Sequence, residues 1–188
     1  EDTHLNNARA WVVHPDIKSE ISRKSAEPAL KEAVSLARAM PKLDVQGSTV
    51  VVLSSPKAGM LFGKGKIEEL RHIFAKNKIE VVLIDGPLTP VQQRNLEKIW
   101  SVKILDRTGL ILEIFSERAA TREGVLQVEM AALTYQRTRL VRAWTHLERQ
   151  RGGLGFVGGP GETQIEADRR AIDLQLTKLR QQLERVIK

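Results

Sequence analysis

The sequence predicts an α/β fold, with a small parallel-sheet α/β subdomain followed by a long antiparallel α-helical (coiled-coil) hairpin. Two observations predict it. In the first half, short runs of Val, Ile and Leu alternate with segments whose apolar residues recur at helical spacing. In the second half, apolar residues recur in steps of four and three along two long segments. We expect the subdomains at 8–106 and 107–188.

Four short apolar runs are the predicted strands of the first subdomain. They are continuous rather than alternating, which is typical of strands buried on both faces of a parallel sheet. The third predicted helix opens on Thr89 and Pro90, a pair typical of an N-cap and the first helical position. The strands are predicted at Ala10–His14, Ser48–Ser54, Glu80–Ile84 and Val102–Leu105, and the helices at Pro28–Met40, Lys64–Asn77 and Pro90–Trp100.

The second subdomain is predicted to be helical throughout, apart from one glycine-rich segment. A short apolar helix comes first, and two long helices with heptad spacing follow it. Such a pair, joined by one loop, predicts an antiparallel hairpin whose tip is the glycine-rich segment. The helices are predicted at Gly109–Arg118, about 121–150 and about 162–187, with the tip at 151–161.

The heptad pattern also predicts which residues of the two long helices meet. Pairing positions whose numbers sum to about 316 sets Leu133 against Leu183 and gives nearly every seam position an apolar partner, although a shift of half a turn stays open. Arg137 and Arg169 interrupt this seam, and we expect both to extend towards solvent. The alternative for Arg169 is stacking on Trp144.

Composition indicates a soluble, cytoplasmic protein. The 188 residues carry a net charge of +7, contain no cysteine and have no apolar run long enough to span a membrane. The N-terminal residues do not read as a secretory signal. Five arginines lie between Arg137 and Arg151 against one acid, Glu148, and this clustering predicts a nucleic-acid partner.

The segment Gly153–Gly158 (GLGFVG) formally matches a dinucleotide fingerprint. That motif works between a strand and a helix, whereas here a long helix precedes it. No glycine is followed by Lys-Ser or Lys-Thr, so no phosphate loop of the Walker type is present, and Asp106–Gly109 (DRTG) resembles a GTPase motif only formally. Glycines, Phe156 and flanking arginines are instead typical of a probe for folded RNA.

Two lysines form a candidate anion site outside the hairpin. Lys64 and Lys66, within the segment GKGK, are expected to open the second helix, where free N–H groups favour anions. The alternative is an ordinary loop and helix cap. No histidine pair has metal-ligand spacing, and no arrangement of Ser, His and Asp stands out. We therefore predict no metal site and no catalytic residue in these 188 residues.

Three segments carry a resemblance to a known family. They are GPLTPVQQRNLEK, DRTGLILEIFSERAATREGVLQVEMAAL, and the tract from Leu140 through GGPGETQIEADRR. Together they resemble the N-terminal region of the HflX family of ribosome-associated GTPases, over roughly Val13 to Lys188. The family pattern places a G domain after this region. The resemblance therefore implies that GTP and Mg²⁺ bind in that G domain, and we expect no cofactor in these 188 residues.

The resemblance implies that the hairpin reaches the large ribosomal subunit near the peptidyl-transferase centre and helps split or rescue stalled ribosomes. Many members read GG-I-G-x-R-GPGE, whereas this chain reads GG-L-G-F-V-GGPGE, so we expect tip contacts to rely on Phe156 and the backbone. The expected contacts with ribosomal RNA are Arg142, Arg149, Arg151, Gly152, Gly153, Gly155, Phe156, Val157, Gly158, Gly159, Gly161, Arg169 and Arg170.

The expected partners are the large ribosomal subunit with its RNA and the G domain of the same chain, with no membrane partner and a monomeric state. Two alternatives stay open. The α/β half could be a nucleotide-binding module with weak affinity for ATP or GTP, using GKGK and Asp85–Pro87 (DGP) at the strand ends. The helical half could instead be a homodimerising coiled coil.

Overall fold

The computed structural model describes residues 7–18, 25–150 and 160–187, with side chains described in these segments except at 139–166 and 168. The chain divides into two compact units, Glu1–Ile114 and Phe115–Lys188. The elements in chain order are β1 (Ala8–Ile17), α1 (Ala26–Arg38), β2 (Leu43–Leu53), α2 (Lys64–Lys76), β3 (Val81–Ile84), α3 (Pro90–Trp100), β4 (Lys103–Asp106), α4 (Arg107–Arg118), α5 (Arg122–Gln150) and α6 (Pro160–Ile187).

The first unit is built on a four-stranded sheet with the strand order β2-β1-β3-β4. Every neighbouring pair of strands is parallel, and Val13 lies level with Thr49 on one side and with Ile84 on the other. Parallel neighbours require crossover connections, which α1, α2 and α3 supply. The predicted α/β class with a small parallel sheet is therefore confirmed.

Both faces of the sheet are buried, which explains why its strands do not alternate between apolar and polar residues. Val13 and Val82 belong to a core that includes residues of α2 and α3. Val12 and Leu83, their neighbours in sequence, belong to a second core with residues of α1 and of the first turns of α4. Since successive side chains point to opposite faces, all four residues of Val81–Ile84 are buried and apolar.

The start of α3 confirms the predicted N-cap. The Thr89 hydroxyl accepts a hydrogen bond from the Gln92 backbone N–H at 3.1 Å. In return, Gln92 Oε1 accepts one from the Thr89 backbone N–H at 2.9 Å. This reciprocal pair satisfies two N–H groups at the helix start that have no partner within the helix. Pro90 follows at the first helical position, and the bounds of α3 match the prediction.

Strand β2 is longer than the sequence predicts, because it begins at Leu43 rather than Ser48. The strand residues that the prediction omits include Asp44 and Gln46, polar residues that are more typical of a loop than of a buried strand. β2 lies at the edge of the sheet, and its first half is only partly buried, so polar side chains are tolerated there. β1 likewise extends beyond the predicted His14 to Ile17.

A bulge in β2 lies beside the large side chain of Trp11. The register passes from Ala10 opposite Val45 to Trp11 opposite Gly47, which leaves Gln46 without a partner on β1. The Trp11 indole occupies the space that a Cβ at position 47 would need. Its Nε1 donates a hydrogen bond to Thr49 Oγ1 at 3.0 Å. Glycine is therefore required at position 47 by close approach rather than by backbone conformation.

The second unit contains two long helices, α5 and α6, that contact each other in opposite directions. Arg137 Nε of α5 donates to Asp173 Oδ1 of α6 at 2.6 Å. Two turns earlier on α5, Glu129 lines a groove together with Gln182, which lies two turns or more later on α6. Higher numbers on one helix thus accompany lower numbers on the other. Whether the pair winds as a coiled coil stays a prediction.

The register of this helix pair differs from the predicted one by four to six residues, which is between one and two helical turns. Leu133 was expected opposite Leu183, but it shares a groove of about 530 Å³ with Leu179. The expected pairing would also set Arg137 level with Leu179, whereas its guanidinium reaches Asp173. Apolar matching alone does not fix the register, because leucine occupies three successive seam positions of α6, 176, 179 and 183.

Candidate functional site

The ion pair between Arg137 and Asp173 lies equally many residues from the two helix ends that flank segment 151–159. Gln150, the last residue of α5, is thirteen positions after Arg137, and Pro160, the first of α6, is thirteen positions before Asp173. At 1.5 Å per residue, both helices continue roughly 20 Å beyond this ion pair. Segment 151–159 therefore joins two helix ends at a similar height, as a hairpin tip requires.

Most of the predicted RNA-contacting residues lie outside the parts whose structure is described. Arg142 and Arg149 are on α5 and Gly161 is in the first turn of α6, but the side chains at 139–166 are not described. The remaining tip residues, Arg151, Gly152, Gly153, Gly155, Phe156, Val157, Gly158 and Gly159, lie outside the described residues altogether.

Two predicted contact residues are described, and both are solvent-exposed on α6. Arg169 and Arg170 lie nine and ten positions after the helix start at Pro160, on the side of Asp173 nearer the tip segment. Arg137 extends from the seam with 40% of its side chain exposed and pairs with Asp173, which is 46% exposed. The seam of α5 thus carries an ion pair with access to water rather than a buried lone charge.

A second cluster of polar side chains lies where the carboxyl ends of β1 and β3 meet. The strand order reverses between these two strands, which is where ligands bind in many open α/β sheets. His14 Nδ1 lies 2.9 Å from Oδ2 of Asp85, a buried carboxylate. Arg107, the first residue of α4, donates to Asp85 Oδ1 at 3.4 Å and to Glu32 of α1 at 2.6 Å.

This cluster leaves little chemistry for a nucleotide at the same place. Both Asp85 oxygens already contact protein side chains and the carboxylate is buried, which disfavours a further hydrogen bond to a ribose hydroxyl. The first turn of α1, which would carry the phosphates in such a fold, contains the acidic Glu27. Asp85–Pro87 is a candidate segment of the nucleotide-binding alternative. Its first residue, Asp85, instead contacts protein side chains at the carboxyl edge of the sheet.

The cluster was missed in the sequence because its members are far apart along the chain. His14 and Asp85 are separated by 71 residues, and no spacing rule connects them. A signal existed nonetheless. Each residue ends or directly follows a predicted strand, and parallel strands bring their carboxyl ends to one edge of the sheet. Combining the predicted strands with this rule would have brought the two side chains together.

The candidate anion site at Lys64 and Lys66 lies at a helix start, as expected, since α2 begins at Lys64. Gly63 precedes it in an extended conformation and provides no side-chain cap. The ammonium of Lys66 lies 2.9 Å from Glu69 Oε2, so this lysine is partly neutralised within its own helix. The anion site itself stays a prediction.

The segment Asp106–Gly109 (DRTG) caps a helix. Asp106 Oδ1 accepts a hydrogen bond from the Gly109 backbone N–H at 2.8 Å, in the first turn of α4. Its resemblance to a GTPase motif thus has a local structural explanation. In the described parts of the chain, no group of three or more His, Asp or Glu side chains could hold a metal ion. Nor do those parts contain a helix long and apolar enough to cross a membrane.

Comparison with known proteins identifies the class to which this architecture belongs. Residues 27–116 match the family model described as GTP-binding GTPase N-terminal. Residues 118–188 match the model described as GTP-binding GTPase Middle Region. The two matches meet close to the boundary between the two structural units. The chain therefore comprises the N-terminal and middle regions typical of one class of GTP-binding GTPases.

Curated relatives narrow this class to one family. The GTPase HflX of Magnetococcus marinus is 47% identical over 185 residues, which are 98% of this chain and 42% of that protein. The GTPase HflX of Escherichia coli is 49% identical over 134 residues, which are 71% of this chain and 31% of that protein. The chain belongs to the HflX family of GTPases. It spans less than half the length of these relatives.

Solved structures share the fold at low sequence identity. One is described as a complex of SsGBP and GDP, with a TM-score of 0.63 and 19% identity, and the likeness covers 95% of this chain and 44% of that one. Another is a GTP-binding protein from the archaeon Sulfolobus solfataricus in complex with GDP, with a TM-score of 0.61 and 18% identity over 95% of this chain and 45% of that one.

Proposed function

We propose that this chain is the ribosome-binding region of an HflX-type GTPase, and that it binds the large ribosomal subunit through segment 151–159 and the flanking arginines. The tip contacts ribosomal RNA near the peptidyl-transferase centre, and this contact helps to split or rescue stalled ribosomes. GTP and Mg²⁺ are bound by the G domain of the same protein, which acts in cis. The protein works in the cytoplasm as a monomer.

The observation that supports the proposal is that α5 and α6 extend equally many residues past the Arg137–Asp173 ion pair. They present nine residues, five of them glycine, between Gln150 and Pro160. Glycines allow RNA to approach the backbone closely, and Phe156 provides an aromatic face for an unstacked base. Exposed Arg169 and Arg170 add positive charge on α6. We further propose that α5 and α6 form a coiled-coil hairpin within a helical domain at 107–188 that follows the α/β domain at 8–106, with the first turns of α4 packed in the core of the latter.

Co-sedimentation with purified large ribosomal subunits tests the proposal. We expect the chain to pellet with them, and the affinity to fall steeply as salt rises, because each phosphate contact releases counterions. Exchanging Arg149→Glu together with Arg151→Glu should lower the affinity by about tenfold or more and reduce the salt dependence.

A matched control changes the same amount of charge elsewhere. Arg71→Glu with Lys76→Glu on α2 alters two exposed cations of the first unit and should leave sedimentation close to that of the unaltered chain. If the double variant at 149 and 151 pellets as well as the unaltered chain, the hairpin is not the contact. An equal loss in both variants would indicate non-specific attraction to RNA.

A further inference from the structure

We propose that the ion pair between Arg137 and Asp173 selects the register of α5 against α6, and that it thereby positions the tip segment 151–159. The two side chains are joined by one short contact, Arg137 Nε to Asp173 Oδ1 at 2.6 Å. The pair lies at a seam position that the heptad pattern otherwise fills with apolar residues. The positioning of the tip matters for function only if the proposed contact between the tip and RNA exists. The selection of the register does not depend on that contact.

Apolar contacts alone do not choose between neighbouring registers of these helices. In the observed register, Leu133 shares a groove with Leu179. A slip of four residues would set Leu133 level with Leu183, again a leucine, as the heptad pattern initially suggests. Each register buries similar side chains, so the difference in burial free energy between them is small. Another interaction must therefore decide.

The ion pair distinguishes the two registers. In the observed register, Arg137 meets a carboxylate, and both side chains are close to half exposed. A slip of four residues would move Asp173 a further turn away, about 6 Å, and bring the guanidinium towards Leu179. An ion pair this exposed adds little net stability. We expect it to act by disfavouring the other registers, in which Arg137 would have no carboxylate partner. Single polar residues fix the register of coiled coils in the same way, with little or no gain in stability.

The register matters because the two helices extend equally far beyond the pair. Thirteen residues separate the pair from each of the helix ends at Gln150 and Pro160. A slip of one turn would raise one end above the other by about 6 Å. Nine residues could still join the two ends, but the relative position of the two attachment points of the segment would change. Arg137 and Asp173 are thus positioning residues for the tip.

Crosslinking can read the register directly, because the chain contains no cysteine. Glu129→Cys with Gln182→Cys reports the observed register, since both positions are exposed and line the same groove. Glu129→Cys with Val186→Cys reports a slip of one turn. With a short bis-maleimide, we expect the first pair to crosslink several-fold more efficiently in the otherwise unaltered chain.

Arg137→Leu should make the two cysteine pairs crosslink with nearly equal efficiency, because the leucine at position 137 can be buried in either register. The thermal midpoint should stay the same or rise, which would show that the variant folds. The exchanged pair, Arg137→Asp with Asp173→Arg, should restore the preference. The inference is wrong if Arg137→Leu keeps the original crosslinking preference. If Arg137→Leu fails to fold, the same comparison in Asp173→Asn, an exposed and nearly isosteric change, decides the question.

Sedimentation with large subunits then tests the positioning of the tip. Arg137→Leu should bind several-fold more weakly although the tip arginines are intact, whereas Arg180→Leu removes an equal charge from the exposed surface of α6 and should not. A changed crosslinking preference with unchanged sedimentation would contradict the positioning role. Absence of sedimentation by the unaltered chain would contradict the proposed function, and the crosslinking result would still stand.

Discussion

The imidazole of His14 and the carboxylate of Asp85 lie side by side at the carboxyl edge of the sheet, with Nδ1 2.9 Å from Oδ2. Arg107 approaches the other oxygen of the same carboxylate. Asp85 has only 4% of its side chain exposed, and it therefore depends on these two partners to offset the loss of water. This buried acceptor joins β1, β3 and the start of α4.

Replacing Asp85 by Asn should destabilise the first unit. The change removes the charge while keeping the size of the side chain, so Arg107 loses a counter-charge and His14 loses a charged hydrogen-bond partner. We expect the free energy of unfolding in urea to fall by about 2 kcal/mol. Glu69→Gln, which removes the exposed partner of Lys66, is the control and should give no resolvable change. Equal effects of the two changes would contradict the assigned role of Asp85.

Replacing Gly47 by Ala should also destabilise the protein, because the new methyl group would meet the Trp11 ring at less than 3 Å. Either the indole or the edge strand must move, and we expect a loss of about 2 kcal/mol in chemical unfolding. Gly65→Ala in α2 is the matched control, since its added Cβ would meet nothing within 4 Å beyond its chain neighbours and the nearby backbone of its own helix. That change should stabilise by up to about 1 kcal/mol.

The cap of α3 predicts a graded response at position 89. Thr89→Ala removes the hydroxyl that accepts from the Gln92 backbone N–H, and it should lower the free energy of unfolding by about 1 kcal/mol. Thr89→Ser keeps an acceptor oxygen and should retain most of the stability. If Ser and Ala variants unfold at the same denaturant concentration, the hydroxyl does not stabilise the helix.

A carboxylate on α2 should titrate below its ordinary range. The hydrogen bond from the Arg71 guanidinium, reinforced by its charge, lowers the pKa of Glu68 from the ordinary 4.5. Because the pKa of Glu68 is lower in the folded state, the ionised carboxylate contributes to folding stability above its ordinary pKa. That contribution is lost as the pH falls through the lowered pKa. Side-chain carbon NMR should detect the shift, and Arg71→Ala should move the pKa of Glu68 back upwards. An unchanged pKa in that variant would contradict the hydrogen bond.

The strands and helices of the first unit follow from local patterns, but their edges do not. All four predicted strands and all three predicted helices are present, because burial on both faces of a parallel sheet imposes continuous apolar runs. The first half of β2 was missed because Asp44 and Gln46 are tolerated at an edge that only one neighbour covers. The bulge beside Trp11 depends on a contact between strands, which no single segment contains.

The register of α5 and α6 shows a different limit. The heptad pattern predicts that the two helices meet, but each leucine has several acceptable partners. The discriminating contact, Arg137 with Asp173, joins residues 36 positions apart. In the sequence, Arg137 reads only as an interruption of the seam. Once the two helices are paired, it becomes the residue that distinguishes one alignment from the next.

The equal distances from that ion pair to the two helix ends constrain how this region can change in length. An insertion in α5 after Arg137 would push one end of the tip outwards unless α6 gained as many residues before Asp173. Seven residues added to both helices would lengthen each by about 10 Å and keep the seam facing inwards. The same addition to one helix alone would tilt the tip. Family members of differing hairpin length should therefore differ by matched, heptad-sized steps on the two sides.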